Sequence, residues 1–240
     1  MMRRRILAFI VILSPAAAFA QAGAAPGGDP WAGKASLGYL STSGNTDTTS
    51  YNTAFEIAYT QNKWTHTFNA AANGAGESNT TTAEAYQAGW ESNYSVSEHD
   101  YLFGRVNWRK DRFSGVHEQL SESIGYGRKV IDTPVHFLSA DIGVGHRSSD
   151  FADNTSESTV IGTLGADYKW TFSETSNFEQ TIVVETGSDN TYLESVSALR
   201  ARLLGDLALV LSYTVKHNTD VPVGNTKTDK LSAISLEYVF

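Results

Sequence analysis

Cysteine is missing from this 240-residue chain, and its absence excludes several kinds of site at once. Without a thiol there can be no disulfide framework, no thiolate metal ligand and no cysteine nucleophile. The lipid anchor that some exported bacterial proteins carry on a cysteine is excluded for the same reason. The stability of the fold must therefore come from burial and from backbone hydrogen bonding.

Basic residues are also scarce relative to acidic ones. Lys and Arg number 18 against 26 Asp and Glu, which gives a formal net charge of −8. Nucleic-acid binding needs clustered Lys and Arg to neutralise phosphates, and no basic run follows residue 20. We therefore expect no nucleic-acid partner.

The first 20 residues have the organisation of a secretory signal peptide. Three arginines precede an apolar run from Ile6 to Leu13, and the small-residue site Ala18-Phe19-Ala20 follows. This run is too short for a helical membrane span, which needs about 20 apolar residues. Cleavage of residues 1–20 would remove three positive charges and no acid, taking the net charge from −8 to −11. Residues 21–31, rich in Gly and Pro, are then expected to form a periplasmic lead.

Long apolar runs are absent after residue 20, so no helical membrane span is predicted there,. Apolar and polar residues instead alternate along much of the chain. Between residues 49 and 60, Tyr51 and Phe55 lie on one face while Asn52 and Glu56 lie on the other. A period of two is typical of β-strands with two different faces. Only a closed barrel lets such strands cross a bilayer with every backbone group hydrogen-bonded.

Counting these runs predicts an all-β fold, an up-and-down antiparallel transmembrane β-barrel of about twelve strands, with ten as the alternative. The predicted barrel domain covers residues 32–240. Short connections after the even-numbered strands are expected to be periplasmic turns, and longer polar ones, such as the Gly-rich 73–81, extracellular loops. The predicted strands are 32–42, 49–60, 63–72, 82–94, 101–109, 119–130, 135–147, 159–172, 178–186, 191–204, 207–217 and 228–240.

The chain ends inside the last predicted strand, where Tyr238 and Phe240 share a face with Leu236 and Ile234. This pattern resembles the C-terminal strand signature that the barrel-assembly machinery reads in outer-membrane proteins; the alternative is the last strand of a soluble β-protein. We expect Tyr238 and Phe240 to be the assembly signal and the assembly machinery to be a partner during insertion. The mature protein is then expected in the cell outer membrane, among its lipids and lipopolysaccharide.

The stretch from Trp31 to Ser50, with its Ser43-Gly44-Asn45-Thr46-Asp47 turn, resembles the opening of the salt-induced outer-membrane protein family, a group classed as a domain of unknown function. The Gly125-Tyr126-Gly127 segment and the terminal Tyr238-Val239-Phe240 fit the same family, so the resemblance spans nearly the whole mature chain. It implies an outer-membrane barrel of undetermined activity, and the family name implies a role under osmotic stress. It supplies no catalytic residue.

The six histidines are the main candidates for chemistry. His146 is followed by Ser148 and Asp150, while His117 and His217 also fall near predicted strand ends. Enzymatic barrels bring nucleophile, base and orienting group within hydrogen-bond reach, and no segment here has the His-x-Ser-Asn-Gly signature of phospholipase barrels. We therefore expect no enzyme, no cofactor and no metal. A lipid-modifying or proteolytic enzyme and a surface receptor or adhesin remain the alternatives.

Charged residues fall on the inward parity of the predicted strands. An Arg or Lys exposed to lipid near the midplane would cost about 2–4 kcal/mol. The inward position that the alternation gives these residues is therefore also the energetically favourable one. We hypothesise that Arg105, Asp141, Glu185 and Arg200 form a charge network that closes or narrows the lumen. The function expected first is therefore non-enzymatic: envelope integrity or restricted passage of small solutes. The inward set is Glu56, Arg105, Arg109, Asp141, Arg147, Asp167, Lys169, Glu185, Arg200 and Lys216.

Overall fold

The computed structural model describes residues 29–42, 48–78, 80–112, 116–151, 153–221 and 225–240. The predicted signal peptide, most of the predicted lead and the Ser43–Asp47 turn lie outside these residues. Within the described part of the chain, no helix is long and apolar enough to cross a membrane.

In the residues that the structure describes, twelve antiparallel strands form one closed barrel, with β12 hydrogen-bonded to β1. The predicted twelve-strand barrel is therefore confirmed, and the ten-strand alternative is wrong. The strands are β1 (Trp31–Thr42), β2 (Thr48–Gln61), β3 (Trp64–Glu77), β4 (Thr80–Ser95), β5 (Asp100–Asp111), β6 (Val116–Asp132), β7 (His136–Phe151), β8 (Ser156–Ser173), β9 (Ser176–Thr186), β10 (Thr191–Leu204), β11 (Leu207–Asn218) and β12 (Thr228–Val239).

The two rims of the barrel differ in their connections. The turn rim carries the tight connections after β2, β4, β6, β8 and β10, together with the start of β1 and the end of β12. Asn62 and Gly205 have positive φ angles of 56° and 55°, a conformation that suits a chain reversal of very few residues,. The opposite end, the loop rim, carries the connections after the odd-numbered strands.

The alternation predicted from the sequence sorts side chains between lumen and outer wall. On β7, Asp141 and Arg147 are buried in the lumen, whereas Ile142 and Val144 are exposed on the outside. A soluble protein rarely exposes so much contiguous apolar surface, and an outer wall of this kind is typical of transmembrane barrels.

Aromatic side chains surround the outer wall close to the turn rim. The ring centroids of Trp31 and Tyr59 lie 4.6 Å apart, and those of Trp64 and Tyr94 lie 4.9 Å apart. Such a belt is typical of the boundary between hydrocarbon and water. Other exposed aromatic residues of this belt are Trp90, Trp170, Phe172, Tyr238 and Phe240.

Several strands extend further toward the loop rim than predicted. β3 continues to Glu77 and β4 begins at Thr80, so the segment 73–76, predicted as a flexible loop, is strand. Likewise β7 reaches Phe151 and β8 begins at Ser156. The prediction failed because Gly, Ala, Ser and Thr have the composition of loops, whereas the hairpin ladder continues through them.

The seam between β1 and β12 has a short ladder. Its register partners run only from Lys34–Val239 to Leu37–Leu236, with backbone hydrogen bonds between Gly33 and Phe240 below them. By contrast, β1 pairs with β2 along its whole length, and β12 pairs with β11 from Tyr238 back to Thr228. Among the described residues, β1 beyond Leu37 and β12 before Leu236 therefore have a ladder partner on one side only.

Candidate functional site: the barrel lumen

The inward-facing charges form three clusters, which we call lower, middle and upper, counted from the turn rim. In the lower cluster, Arg200 donates from Nε to Glu237 Oε1 at 2.7 Å and from Nη1 to Glu179 Oε1 at 2.6 Å. Lys34 Nζ lies 3.3 Å from Glu56 Oε1 beside them. Each cation here faces at least one carboxylate, as charges removed from water require.

The middle cluster is centred on Arg105 of β5. Its Nε donates to Glu91 Oε2 at 2.6 Å, and its Nη2 lies 3.6 Å from Asp141 Oδ2. The guanidinium carbon also lies 4.7 Å from the centroid of the Phe103 ring. All three charged side chains are buried, so loss of Arg105 would leave two carboxylates in the lumen without this cation.

Glycines on β6 and β7 make room for the large inward side chains of β5, and Gly165 on β8 makes room for Asp141 of β7. A Cβ at Gly127 would overlap the Tyr101 ring, and a Cβ at Gly125 or Gly143 would meet the Phe103 ring. Both rings are buried in the hollows that these glycines leave. We call this region the packed side; it consists of Tyr101, Phe103, Arg105, Asp141, Gly125, Gly127, Gly143 and Gly165.

The upper cluster bridges the lumen from β5 to β9 and β10. Arg109 donates from Nη2 to Glu185 Oε1 at 2.8 Å, and its guanidinium carbon lies 4.2 Å from the centroid of the Tyr192 ring. Arg147 Nη1 is 3.9 Å from the other oxygen of Glu185. Because these contacts join strands on different sides of the barrel, they narrow its bore.

Arg147 also holds the hairpin between β9 and β10 at the loop rim. Its Nη2 donates to Asp189 Oδ2 at 3.0 Å and to the Asn190 carbonyl at 2.9 Å. Asn190 Nδ2 in turn donates to Asn218 Oδ1 at 2.7 Å, which ties this hairpin to the end of β11. Desolvation acts to raise the pKa of Asp189, but the Arg147 hydrogen bond and charge outweigh it and lower that pKa below its usual value.

Three small cavities follow one another along β10 in the lumen; the lower and upper ones also reach β11 and β12, whereas the middle one lies between β3–β5 and β9–β10. Their volumes are about 70 Å³, 60 Å³ and 100 Å³ from the turn rim upward. Val196 lines both the lower and the middle cavity, and Arg109 lines both the middle and the upper one. We call this region the cavity side; its small inward residues are Val196, Ala198, Val210, Ser212 and Ser235.

The structure divides the four charges of the hypothesised network among the three clusters. Arg105 and Asp141 lie together in the middle cluster, Arg200 lies in the lower one and Glu185 in the upper one. The partners that the sequence argument missed, all inward in their strands, are Lys34, Glu91, Glu179 and Glu237. The only sequence signal for these four partners was their position on the inward face of the alternating pattern.

The two residues expected to signal assembly lie at the turn rim. Tyr238 and Phe240 are exposed on the outer wall, and the Phe240 ring centroid is 6.4 Å from that of Phe55. The ring of Phe240 also covers Gly33, where a Cβ would overlap it. The C-terminus is therefore fixed to β1 by both backbone and ring contacts.

In the described residues, histidine side chains form hydrogen bonds with hydroxyl groups, as in the 2.8 Å contact between His66 Nδ1 and Ser92 Oγ. His136 Nδ1 contacts the Tyr168 hydroxyl at 2.9 Å, and His217 Nδ1 contacts Thr228 Oγ1 at 2.8 Å. His146 faces outward, opposite Glu122 in the ladder. None of the hydrogen bonds of the described residues links a serine, a histidine and a carboxylate in sequence, and these residues contain no cluster of three or more His, Asp or Glu suited to a metal ion.

Comparisons with known proteins agree with this architecture. A family model described as "Protein of unknown function, DUF481" matches residues 35–240. A protein of Escherichia coli (strain K12) described as "Uncharacterized protein YdiY" is 30% identical over 210 residues, 87% of this chain and 83% of that protein.

Among solved structures, the NanC porin has a TM-score of 0.50 at 9% identity, covering 86% of this chain and 97% of that one. The translocator domain of autotransporter NalP from Neisseria meningitidis has a TM-score of 0.48 at 12% identity, covering 88% of this chain and 87% of that one. At such low identity, the similarity to the NanC porin shows a shared outer-membrane barrel fold alone.

Proposed function

Because this chain belongs to the DUF481 family, whose function is unknown, we propose its role from the lumen: a non-enzymatic outer-membrane barrel that lets small polar solutes pass slowly and excludes larger ones. The observation that carries this proposal is the series of three cavities along β10, in which each shares a lining residue with the next. A lumen filled with side chains throughout would only seal the envelope.

The lower cavity has the chemistry of a hydrated space. Glu56 and Glu179 line it, and each has one carboxylate oxygen, Oε2, buried without a hydrogen-bond partner among the described residues. Buried polar atoms are almost always hydrogen-bonded, to water where protein offers no partner. A cavity of about 70 Å³ accommodates a few waters, since one water needs roughly 10–15 Å³ of such volume,.

Two constrictions separate the cavities and set the rate of passage. Val196 stands between the lower and middle cavities, and an apolar constriction of this kind restricts flow by excluding water,. Arg109 stands between the middle and upper cavities, held by Glu185 and by the Tyr192 ring. Passage is therefore limited to water and small solutes, which suits a role in the response to salt or osmotic stress.

Single-channel conductance in planar bilayers tests this proposal. Wild type should conduct far less than a sixteen-stranded general porin, while Arg109→Ala and Val196→Ala should each raise conductance several-fold because each joins two cavities. Leu199→Ala is the matched control, since Leu199 lies on the outer wall of the same strand as Val196. If both lumen variants conduct like wild type, or if wild type already conducts like a general porin, the proposal is wrong.

A further inference from the structure

One side of the middle cavity is lined by side-chain amides, which we call the amide wall. It consists of Asn69 of β3, Gln87 of β4 and Asn107 of β5. Gly89 of β4 is the ladder partner of both asparagines, and a Cβ there would lie 2.8 Å from Asn69 Nδ2 and 2.9 Å from Asn107 Oδ1. The two asparagine amides therefore extend over the same glycine, beside the cavity.

Asn69 carries a hydrogen-bond donor that no described residue satisfies. The residue is 4% exposed, and its Nδ2 atom is buried without a hydrogen-bond partner among the described residues. Buried polar atoms are almost always hydrogen-bonded, to water or another bound molecule where the protein offers no partner. Because Asn69 lines the middle cavity, an occupant of that cavity is in place to accept this hydrogen bond.

The charges on the lining of the middle cavity balance each other and are held by other groups. They belong to Arg109 and Glu194. Arg109 donates to Glu185 and lies against the Tyr192 ring, while Glu194 accepts a hydrogen bond from the Tyr192 hydroxyl. The lower cavity, by contrast, is lined by three carboxylates and two cations. An ion in the middle cavity would lose water while the opposite charges are already engaged, a cost that an uncharged solute does not meet.

The wall opposite the amides is apolar, since Val183 of β9 and Val196 of β10 line the cavity from across the bore. The cavity volume of about 60 Å³ corresponds to roughly four to six waters, at about 10–15 Å³ for each,. A small polyol matches both walls. Its hydroxyl groups donate and accept hydrogen bonds, as the amides do, and its C–H groups can pack against the valines.

We propose that the middle cavity is a binding subsite for small uncharged polyols, of which glycerol is the simplest. The amide wall exchanges hydrogen bonds with the hydroxyl groups of the polyol, and Val183 and Val196 contact its carbon chain. This subsite gives the solute class for the lumen, and its role in the cell rests on the restricted passage proposed above.

Side-chain amide signals in nuclear magnetic resonance spectra report binding directly, with isotope-labelled asparagine in the full barrel held in nanodiscs. Addition of glycerol should shift the Asn69 and Asn107 signals along a saturating curve. Asn52 and Asn93 are internal controls, because both are buried asparagines of the lumen that do not line the middle cavity. Equal, non-saturating changes at all four residues would overturn the proposal.

Sodium glycerate tests the preference for uncharged solutes, because glycerate has the carbon chain of glycerol with a carboxylate at one end. It should leave the Asn69 and Asn107 signals where the same concentration of sodium chloride leaves them. Saturating shifts as large as those with glycerol would show that the cavity does not distinguish charge, and the assignment to uncharged polyols would be wrong.

Asn69→Leu removes the unsatisfied donor with little change in side-chain volume. Its affinity for glycerol, read from the Asn107 signal, should fall about tenfold through loss of a hydrogen bond. Asn73→Leu is the matched control, because Asn73 is also 4% exposed on β3 but lines the upper cavity. This variant should bind glycerol like wild type, and equal losses in the two variants would contradict the proposal. If Asn69→Leu does not fold, the wild-type titrations with glycerol and glycerate decide.

The titration and the conductance measurement can fail separately. If wild type conducts as proposed but its amide signals do not saturate with glycerol, the polyol subsite is wrong and restricted passage stands. If the signals saturate in a protein that passes no solute, the subsite stands and restricted passage is wrong.

Discussion

The packed side and the cavity side of the lumen follow the same alternating pattern but are filled in opposite ways. On the packed side, glycines of β6 to β8 receive the rings of Tyr101 and Phe103 and the carboxylate of Asp141. On the cavity side, Val196 and Ser212 face cavities instead of a large partner. Both sides carry a doubly paired arginine, Arg105 and Arg200.

The difference shows that charge pairing does not by itself decide whether a lumen is sealed. Arg105 and Arg200 are both held by two carboxylates, but Arg105 also lies against the Phe103 ring, which is seated on Gly125 and Gly143. Size complementarity between facing inward residues fills the space, as in any well-packed protein interior.

The largest effect is expected from Arg105→Ala, which removes the central cation of the packed side. Glu91 and Asp141 would remain buried without it, and breaking a buried pair typically costs about 3–5 kcal/mol,. The measurement is the free energy of unfolding from detergent or lipid. Lys169→Ala is the control, because the Lys169 side chain is 40% exposed, 3.7 Å from Glu179, and Glu179 keeps Arg200 as a partner. This variant should cost less than about 1 kcal/mol. Equal losses in the two variants would mean that water already screens the middle cluster.

An intermediate effect is expected from Gly127→Ala, which adds one methyl group where the Tyr101 ring lies. Overpacking of this kind costs about 1–3 kcal/mol. Gly104→Ala provides the matched control, since a Cβ at Gly104 meets no atom within 4 Å. If urea titration gives both variants the same midpoint, the packed side is looser than its contacts indicate.

The smallest effect is expected from Ser212→Asn, which adds volume on the cavity side. The lower cavity accepts the amide, so the stability loss should stay below about 1 kcal/mol, whereas Ser139→Asn, the same change at a buried position of the packed side, should cost about 1–3 kcal/mol,. Ser212→Asn should also lower the single-channel conductance. Reversal of the two stability losses would mean that the sides have been assigned the wrong way round.

The number of strands and the side of the wall that each residue faces could be predicted from the sequence, because a period of two is a local property. Any five or six residues of β2 or β12 display it without reference to the rest of the chain. The ends of β3 and β4 at the loop rim could not be predicted from the sequence, because the segment 73–76 is strand only through the ladder that it forms with its neighbours. Composition reports local preference, and hairpin pairing overrides it.

The partners within the lumen were less accessible to sequence reasoning than the charges themselves. Parity predicted that Arg109 and Glu185 face inward, but they meet only because β5 and β9 lie across the bore from each other. The distance between the two strands across the bore depends on barrel closure and strand stagger, which no short segment of sequence encodes. The glycine hollows were missed for the same reason, since each requires a ring supplied by another strand.

The short ladder at the β1–β12 seam also bears on how the barrel folds. The other strand pairs join neighbours in the sequence and can form as local hairpins, whereas β1 and β12 join the two ends of the barrel domain. Contacts between distant parts of a chain form late, because loop-closure entropy opposes them until the intervening structure exists. We therefore expect closure through Lys34–Leu37 and Leu236–Val239 to come late in folding, with the ring of Phe240 over Gly33 adding to the few pairs that hold the two ends together.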